Sequence, residues 1–201
     1  MLDRYATALL RPPLDSFARL LVRAGVGANT VTVAGFLIGV VAAILIANHA
    51  YSAGAIALLA SRLCDGLDGA VARQTTTTDA GGFLDISLDF LFYASIPLAF
   101  AVADPAANAL AAAVLLAAFI GTGSSFLAFA VLAAKRNMGN LAFPDKSFYF
   151  LGGLTEATET LAFFVAMCIW PQHFAELAYA FAALCAITIM SRIWWGWKAF
   201  S

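Results

Sequence analysis

Ionisable side chains are scarce in this 201-residue sequence: Asp, Glu, Lys and Arg together make up 11%. Soluble domains carry roughly 25%, so a water-soluble globule is excluded as the fold class. Histidine is nearly absent, with two residues, and the three cysteines form no Cys-x-x-Cys pair, which leaves no ligand set suited to zinc or to thiol redox chemistry. Cys64, Cys168 and Cys185 all fall inside apolar runs and read as small fillers. The sequence lacks the short apolar core and small-residue cleavage site of a signal peptide, so no processing is expected. Low-complexity tracts, linkers and internal repeats are missing too, which points to a single domain over 1–201, and nucleic acid is not expected as a partner.

What is abundant is apolar length. The chain is 63% hydrophobic, with a mean hydropathy of +0.88. A bilayer-spanning helix needs about 20 mostly apolar residues, and polar, Pro and Gly punctuation divides the chain into six such stretches, near 29–48, 52–73, 82–103, 108–134, 147–170 and 174–197. The expected fold is an all-α integral membrane protein, a six-helix bundle over 29–197 preceded by an N-terminal helix over 1–24. In that first segment Leu2, Tyr5, Leu9, Leu10, Leu14, Phe17, Leu20 and Leu21 interleave with Arg4, Arg11, Asp15, Arg19 and Arg23. The pattern predicts an amphipathic helix lying in the membrane interface. Gly25 and Gly27 then break the chain, and Asn29 is expected to cap the first span.

Cations gather on alternate connections. Arg4, Arg11, Arg19 and Arg23 precede the first span, Arg73 ends the second, Lys135, Arg136 and Lys146 flank the connection after the fourth, and Arg192 and Lys198 close the chain. "NHAYSA", "ADPAAN" and "PQHFAE" carry no Lys or Arg. The positive-inside rule therefore places both termini on the cytoplasmic side of a membrane. Trp194, Trp195 and Trp197 beside Arg192 and Lys198 form an interfacial belt.

Against this background four aspartates stand out. Asp65 and Asp68 are spaced i,i+3 in the second span, and Asp85 and Asp89 i,i+4 in the third, so each pair shares one helical face. The short connection "RQTTTTDAGG" makes the two helices antiparallel neighbours with both pairs at the cytoplasmic end. Carboxylates at membrane depth are expensive and mark function, and four converging without a cation would repel one another. An all-oxygen cluster suits Mg²⁺ or Mn²⁺, which leave positions open for substrate phosphate. Two such ions sharing bridging aspartates can activate a diphosphate. Gly66, Gly69, Ala70, Ala72, Gly81 and Gly82 leave room for a ligand near the backbone, and Arg73 offers a planar fork for phosphate.

Taken together, Asp65-x-x-Asp68-Gly69-x-x-Ala72-Arg73 followed by Gly81-x-x-x-Asp85-x-x-x-Asp89 resembles the signature of the CDP-alcohol phosphatidyltransferase family, and the wider sequence is similar to a bacterial branch of it. Eight residue types are matched across 25 positions. Seven residues separate Arg73 from Gly81, one fewer than is usual in the family. "ANTVT", with Asn29 and Thr32, is similar to a segment many members carry ahead of the signature.

The resemblance implies a metal-dependent enzyme of the bacterial inner membrane that transfers a phosphatidyl group from CDP-diacylglycerol to an acceptor hydroxyl and releases CMP, with another CDP-linked alcohol as the alternative donor. It implies that Asp65, Asp68 and Asp85 hold one ion and Asp65, Asp85 and Asp89 a second, and that Asp89 deprotonates the acceptor. It further implies that Asp68, Gly69, Ala72, Arg73 and Gly81 line the CDP site and that the enzyme is a homodimer.

For the acceptor, a phosphorylated polyol such as glycerol 3-phosphate or an inositol phosphate would need a basic pocket, for which Lys135, Arg136, Lys146 and Arg192 are candidates. Glu156 and Glu159, i,i+3 in the fifth span, suit polyol hydroxyls or the cation of an amino alcohol. Thr155, Thr158 and Thr160 are given no role, and Gly121, Gly123, Ser124 and Ser125 read as helix packing. A cation transporter is the alternative of another class, but its acids would mark a path across the whole bilayer, whereas these crowd one side. A prenyl-diphosphate transferase would need a longer chain and lacks the Gly-x-x-Ala-Arg element.

Overall fold

The structure, a computed structural model, describes residues 3–136 and 154–201. All regular elements among these residues are helical: α1 (Asp3–Arg23), α2 (Ala28–Ala47), α3 (Tyr51–Gln74), α4 (Asp79–Ala103), α5 (Pro105–Lys135), α6 (Ala157–Ile169), a 3₁₀ turn (Pro171–His173) and α7 (Phe174–Phe200). Four segments are long and apolar enough to cross a membrane: Ala28–Ala47, Asp79–Ala103, Pro105–Lys135 and Pro171–Phe200. The α3 helix matches them in length, at 24 residues, but carries Arg62, Asp65, Asp68 and Arg73. The expected fifth span, 147–170, is represented among the described residues by the 13-residue α6.

Local chemistry sets the helix ends. The amide of Gly81 donates to Thr78 Oγ1 at 3.1 Å to start α4, and that of Ala107 donates to Asp104 Oδ1 at 3.1 Å to start α5. After α1 the chain turns at Gly25, whose φ of +75° suits a residue without Cβ. The paired bonds from Gly25 N to Val22 O and from Val26 N to Leu21 O close that end. The expected cap at Asn29 is not found: Gly27 occupies the N-cap of α2, and Asn29 lies within the first turn. Its side chain is used elsewhere, against Gly81 of α4.

Close approach organises the first three helices of the bundle. A Cβ on Gly35 would lie 2.8 Å from Cys64 Cβ, and one on Gly39 only 2.5 Å from Phe92 Cδ2. Across the same contact Ser61 Oγ donates to the Gly35 carbonyl at 2.7 Å, a polar tie typical of membrane helices. Beyond it lies an aromatic core, with Phe100 stacked on Phe174 and Phe163 on Phe181, each pair at 4.5 Å between centroids. In the "GTGSSF" segment Gly121 faces Ile189 and Gly123 faces Phe90, so these glycines serve packing. The carboxylates sit at the opposite end of α3 and α4 from this core.

The α1 helix has apolar side chains on two faces. Leu14, Ala18, Leu21 and Val22 pack against Leu67, Ala70 and Val71 of α3, and Gln74 Nε2 donates to the Asp15 carbonyl at 2.9 Å. Leu9, Phe17 and Leu20 remain exposed, at 78%, 62% and 60%. Exposed apolar residues also cover the bundle, among them Ile56, Leu110, Ile120 and Met190, as a lipid-facing surface requires. The three tryptophans at the end of α7 are exposed, and Lys198 Nζ lies 4.7 Å from the Trp194 ring.

Candidate active site

The expected direct packing of the two Asp-bearing helices is not found: α2 packs against both α3 and α4, which have little direct contact, and the last turns of α3 and the first turns of α4 meet through their side chains. Asp65, Asp68 and Asp85 each present a carboxylate oxygen within 4.8 Å of the other two. Asp68 is the most enclosed, at 5% exposure, and its Oδ2 is buried without a hydrogen-bond partner among the described residues. A buried, unpartnered carboxylate oxygen is costly, and it is the donor that a hard cation would satisfy. Three carboxylate oxygens from three side chains, with no His or Cys in the group, fit Mg²⁺ or Mn²⁺. The Thr32 hydroxyl, 3.1 Å from the Ala28 carbonyl, borders Asp68, and Thr32 and Gly35 bring α2 into the wall of the cavity.

Asp89 lies on the same face but is engaged differently. Arg62 Nη1 donates to Asp89 Oδ1 at 2.6 Å and lies 3.3 Å from Asp65 Oδ1. The guanidinium is seated over Phe92, with Cζ 3.8 Å from the ring centroid, and over Tyr93 at 5.5 Å. Sequence reasoning missed Arg62. The positive-inside rule concerns cations at the ends of spans, and a buried arginine in mid-span has no place in that scheme. The available signal was an arginine three residues before Asp65, on the same face of one apolar helix.

The other residues expected to line the nucleotide site, Gly69, Ala72, Arg73 and Gly81, lie on the last turns of α3 and the first turn of α4. A Cβ on Gly69 would sit 3.4 Å from Arg73 Nη1, and one on Gly81 would sit 3.0 Å from Asn29 Oδ1 and 3.1 Å from Thr78 Oγ1. Gly81 thus brings the α4 terminus against α2. Arg73 is exposed and approaches Asp15 of α1 at 3.7 Å, and Ala72 beside it is half-buried.

The candidate acceptor residues are more dispersed. Lys135 is exposed at the end of α5, and Arg136 Nη2 donates to the Phe200 carbonyl at 2.8 Å. Arg192 Nη1 donates to the Thr122 carbonyl at 3.0 Å, joining α7 to α5, and its charge interacts with Glu156. Glu156 and Glu159 form a capping box at the start of α6, with the Glu156 amide donating to Glu159 Oε2 at 3.3 Å. This gives both glutamates a structural role at the start of α6. Lys146 lies outside the described residues.

The chain is similar to several known proteins. The chain is 52% identical over 197 residues to the inner membrane protein YnjF of Escherichia coli K12, covering 98% of this chain and 96% of that one. It is 35% identical over 88 residues to the archaetidylinositol phosphate synthase of Pyrococcus horikoshii, covering 43% of this chain and 47% of the relative. The fold superposes on the phosphatidylinositol phosphate synthase of Mycobacterium tuberculosis with CDP-DAG bound, with a TM-score of 0.74 at 22% identity, covering 92% of this chain and 93% of that one. It also matches that enzyme in complex with manganese and citrate, with a TM-score of 0.73 at 21% identity and coverage of 92% and 88%. The model of the CDP-alcohol phosphatidyltransferase family matches residues 26–195, and the chain belongs to that family.

Proposed function

We propose that the protein is a divalent-metal-dependent phosphatidyltransferase of the bacterial inner membrane, moving a phosphatidyl group from CDP-diacylglycerol to a small alcohol with release of CMP. The observation that carries this reading is the convergence of Asp65, Asp68 and Asp85 within 4.8 Å, with the buried Asp68 oxygen lacking a partner among the described residues. Mg²⁺ or Mn²⁺ held by these carboxylates would polarise the diphosphate and offset charge as CMP leaves. Asp68, Gly69, Ala72, Arg73 and Gly81 bind the CDP portion, with Arg73 supplying a fork for phosphate. Asp89 takes the proton of the acceptor hydroxyl as its oxygen forms a bond to the lipid-side phosphorus and the bond from that phosphorus to the CMP oxygen breaks. Rate enhancement comes mainly from positioning and charge neutralisation.

The favoured acceptor is a phosphorylated polyol, such as glycerol 3-phosphate or an inositol phosphate. The partial relatives support it: one is an archaetidylinositol phosphate synthase, and another, 38% identical over 92 residues, is the phosphatidylinositol phosphate synthase of Streptomyces avermitilis. Lys135, Lys146, Glu156, Glu159 and Arg192 remain the proposed acceptor contacts. In the same reading six helices span the membrane, α1 lies at its cytoplasmic surface through Leu9, Phe17 and Leu20, and the site opens to the cytoplasm.

The test is a CMP-release assay with the purified full chain, CDP-diacylglycerol, Mg²⁺ or Mn²⁺, and a panel of polyol phosphates and amino alcohols. Acceptor-dependent CMP release is expected, strongest with a polyol phosphate. The cation-transporter reading has no support from the family match or from the one-sided placement of the acids.

A further inference from the structure

Arg62 sits near the middle of α3, at a depth where an uncompensated cation is costly. The structure surrounds it with specific partners. Nη1 reaches Asp89 Oδ1 at 2.6 Å and Asp65 Oδ1 at 3.3 Å, and Nη2 lies 3.3 Å from Ser61 Oγ, which is itself bonded to α2. The planar face lies 3.8 Å from the centroid of the Phe92 ring, and Phe92 is held by its contact with Gly39. The side chain is only 11% exposed. A lysine could not make this set of contacts, because lying flat on the ring while Nη1 meets two carboxylates and Nη2 meets Ser61 needs the guanidinium plane.

The placement bears on how many ions the site takes. Asp65 and Asp89 are two of the three carboxylates that the family resemblance assigns to a second ion, and Arg62 Nη1 bridges one oxygen of each. The cavity beside this pair is walled by Thr32, Arg62, Asp65, Asp85 and Asp89. Asp65, Asp68 and Asp85 are the carboxylates whose oxygens already converge.

Resting on the metal-site reading above, we propose that Arg62 is a built-in counter-cation and positioning residue. It takes the place of a second ion between Asp65 and Asp89, holds Asp89 toward the acceptor, and leaves the donor-free enzyme with one divalent ion. Arg62 has no contact with the transferred group and acts through Asp89.

The test is a titration of the purified full chain in detergent with Mn²⁺ alone, following the electron paramagnetic resonance signal of the free ion. The wild type is expected to bind one ion per chain, and Asp89→Asn is expected to leave that number at one. Arg62→Gln is expected to raise it to two, by opening the Asp65–Asp89 pair. Arg62→Lys is expected to keep one ion while lowering kcat about tenfold, with donor KM changed less than about twofold, since it keeps the charge and loses the planar group that rests on Phe92 and reaches Ser61.

Two ions in the wild type, with one lost in Asp89→Asn, would overturn the proposal while leaving the metal-site reading standing. A single ion in monodisperse Arg62→Gln would do the same. If the wild type binds none, or if Asp68→Asn leaves binding unchanged, the underlying metal-site reading fails and the proposal with it. The Asp89→Asn arm decides the matter should Arg62→Gln fail to fold.

Discussion

The guanidinium of Arg62 lies 2.6 Å from Asp89 Oδ1 and stacks on Phe92, tying the proposed catalytic carboxylate of α4 to the middle of α3. Removing one member of such an enclosed pair leaves the other's charge uncompensated, a loss of about 3–5 kcal/mol in comparable cases. Arg62→Leu should therefore lower the thermal midpoint of the detergent-solubilised protein, and the double variant Arg62→Leu/Asp89→Leu should recover part of the loss. A double variant that is worse than the sum of the two single changes would show that the pair is not coupled in this way.

Asp68 is the second test point. Its Oδ2 is buried and has no partner among the described residues, so it is the donor most dependent on a cation. Asp68→Asn should weaken Mn²⁺ binding by at least about 100-fold, since even outer-shell changes cost roughly 10–100-fold. Without metal, the same change should not destabilise the fold, because an amide is cheaper to bury than a carboxylate. Isothermal titration and thermal unfolding in chelator check the two halves separately.

Two glycines should respond differently to alanine. At Gly39 the new methyl would meet the Phe92 ring at 2.5 Å, and that ring is 1% exposed and carries Arg62. Overpacking of this kind costs about 1–3 kcal/mol, so Gly39→Ala should lower the unfolding midpoint. At Gly81 the methyl meets only the tips of Asn29 and Thr78, at 3.0 and 3.1 Å. The gain in helix propensity, about 1 kcal/mol, offsets that strain. Gly81→Ala should leave stability within about 1 kcal/mol of the wild type while raising KM for the CDP-lipid, measured by CMP release.

Arg73 gives a contrast of charge. Its approach to Asp15 is 3.7 Å and solvent-accessible on both sides, and such pairs contribute about 0–1 kcal/mol. Arg73→Gln should barely shift the unfolding midpoint, yet it should weaken donor binding if Arg73 holds a phosphate. Equal donor KM in wild type and variant would remove Arg73 from the CDP site.

Periodicity is what makes the site readable in the sequence. The i,i+3 and i,i+4 spacings of Asp65, Asp68, Asp85 and Asp89 fix faces whatever the packing partner, but the sequence did not show that α2, packed against both helices, is the element that brings those faces together. Apolar length likewise reveals the helical membrane architecture. Arg62 was not legible, because no local rule states that a mid-span arginine will find a carboxylate on the next helix. Asn29 carried a cap signal that was overridden by a tertiary contact, since Gly81 draws its side chain toward α4 and Gly27 takes the cap. For Glu156 and Glu159 the spacing was noticed, but the same i,i+3 interval serves a capping box as well as a ligand pair.

The central claim is that Asp89 acts as base in a metal-dependent transfer from CDP-diacylglycerol. The most direct measurement is acceptor-dependent CMP release by wild type and Asp89→Asn, with donor and Mn²⁺ binding measured on the same preparations. The account predicts release by the wild type that chelator abolishes, and at least about a 100-fold loss of kcat in Asp89→Asn with donor and Mn²⁺ still bound. Undiminished turnover in Asp89→Asn, or no CMP release by a wild type that conducts divalent cations across proteoliposomes, would contradict it.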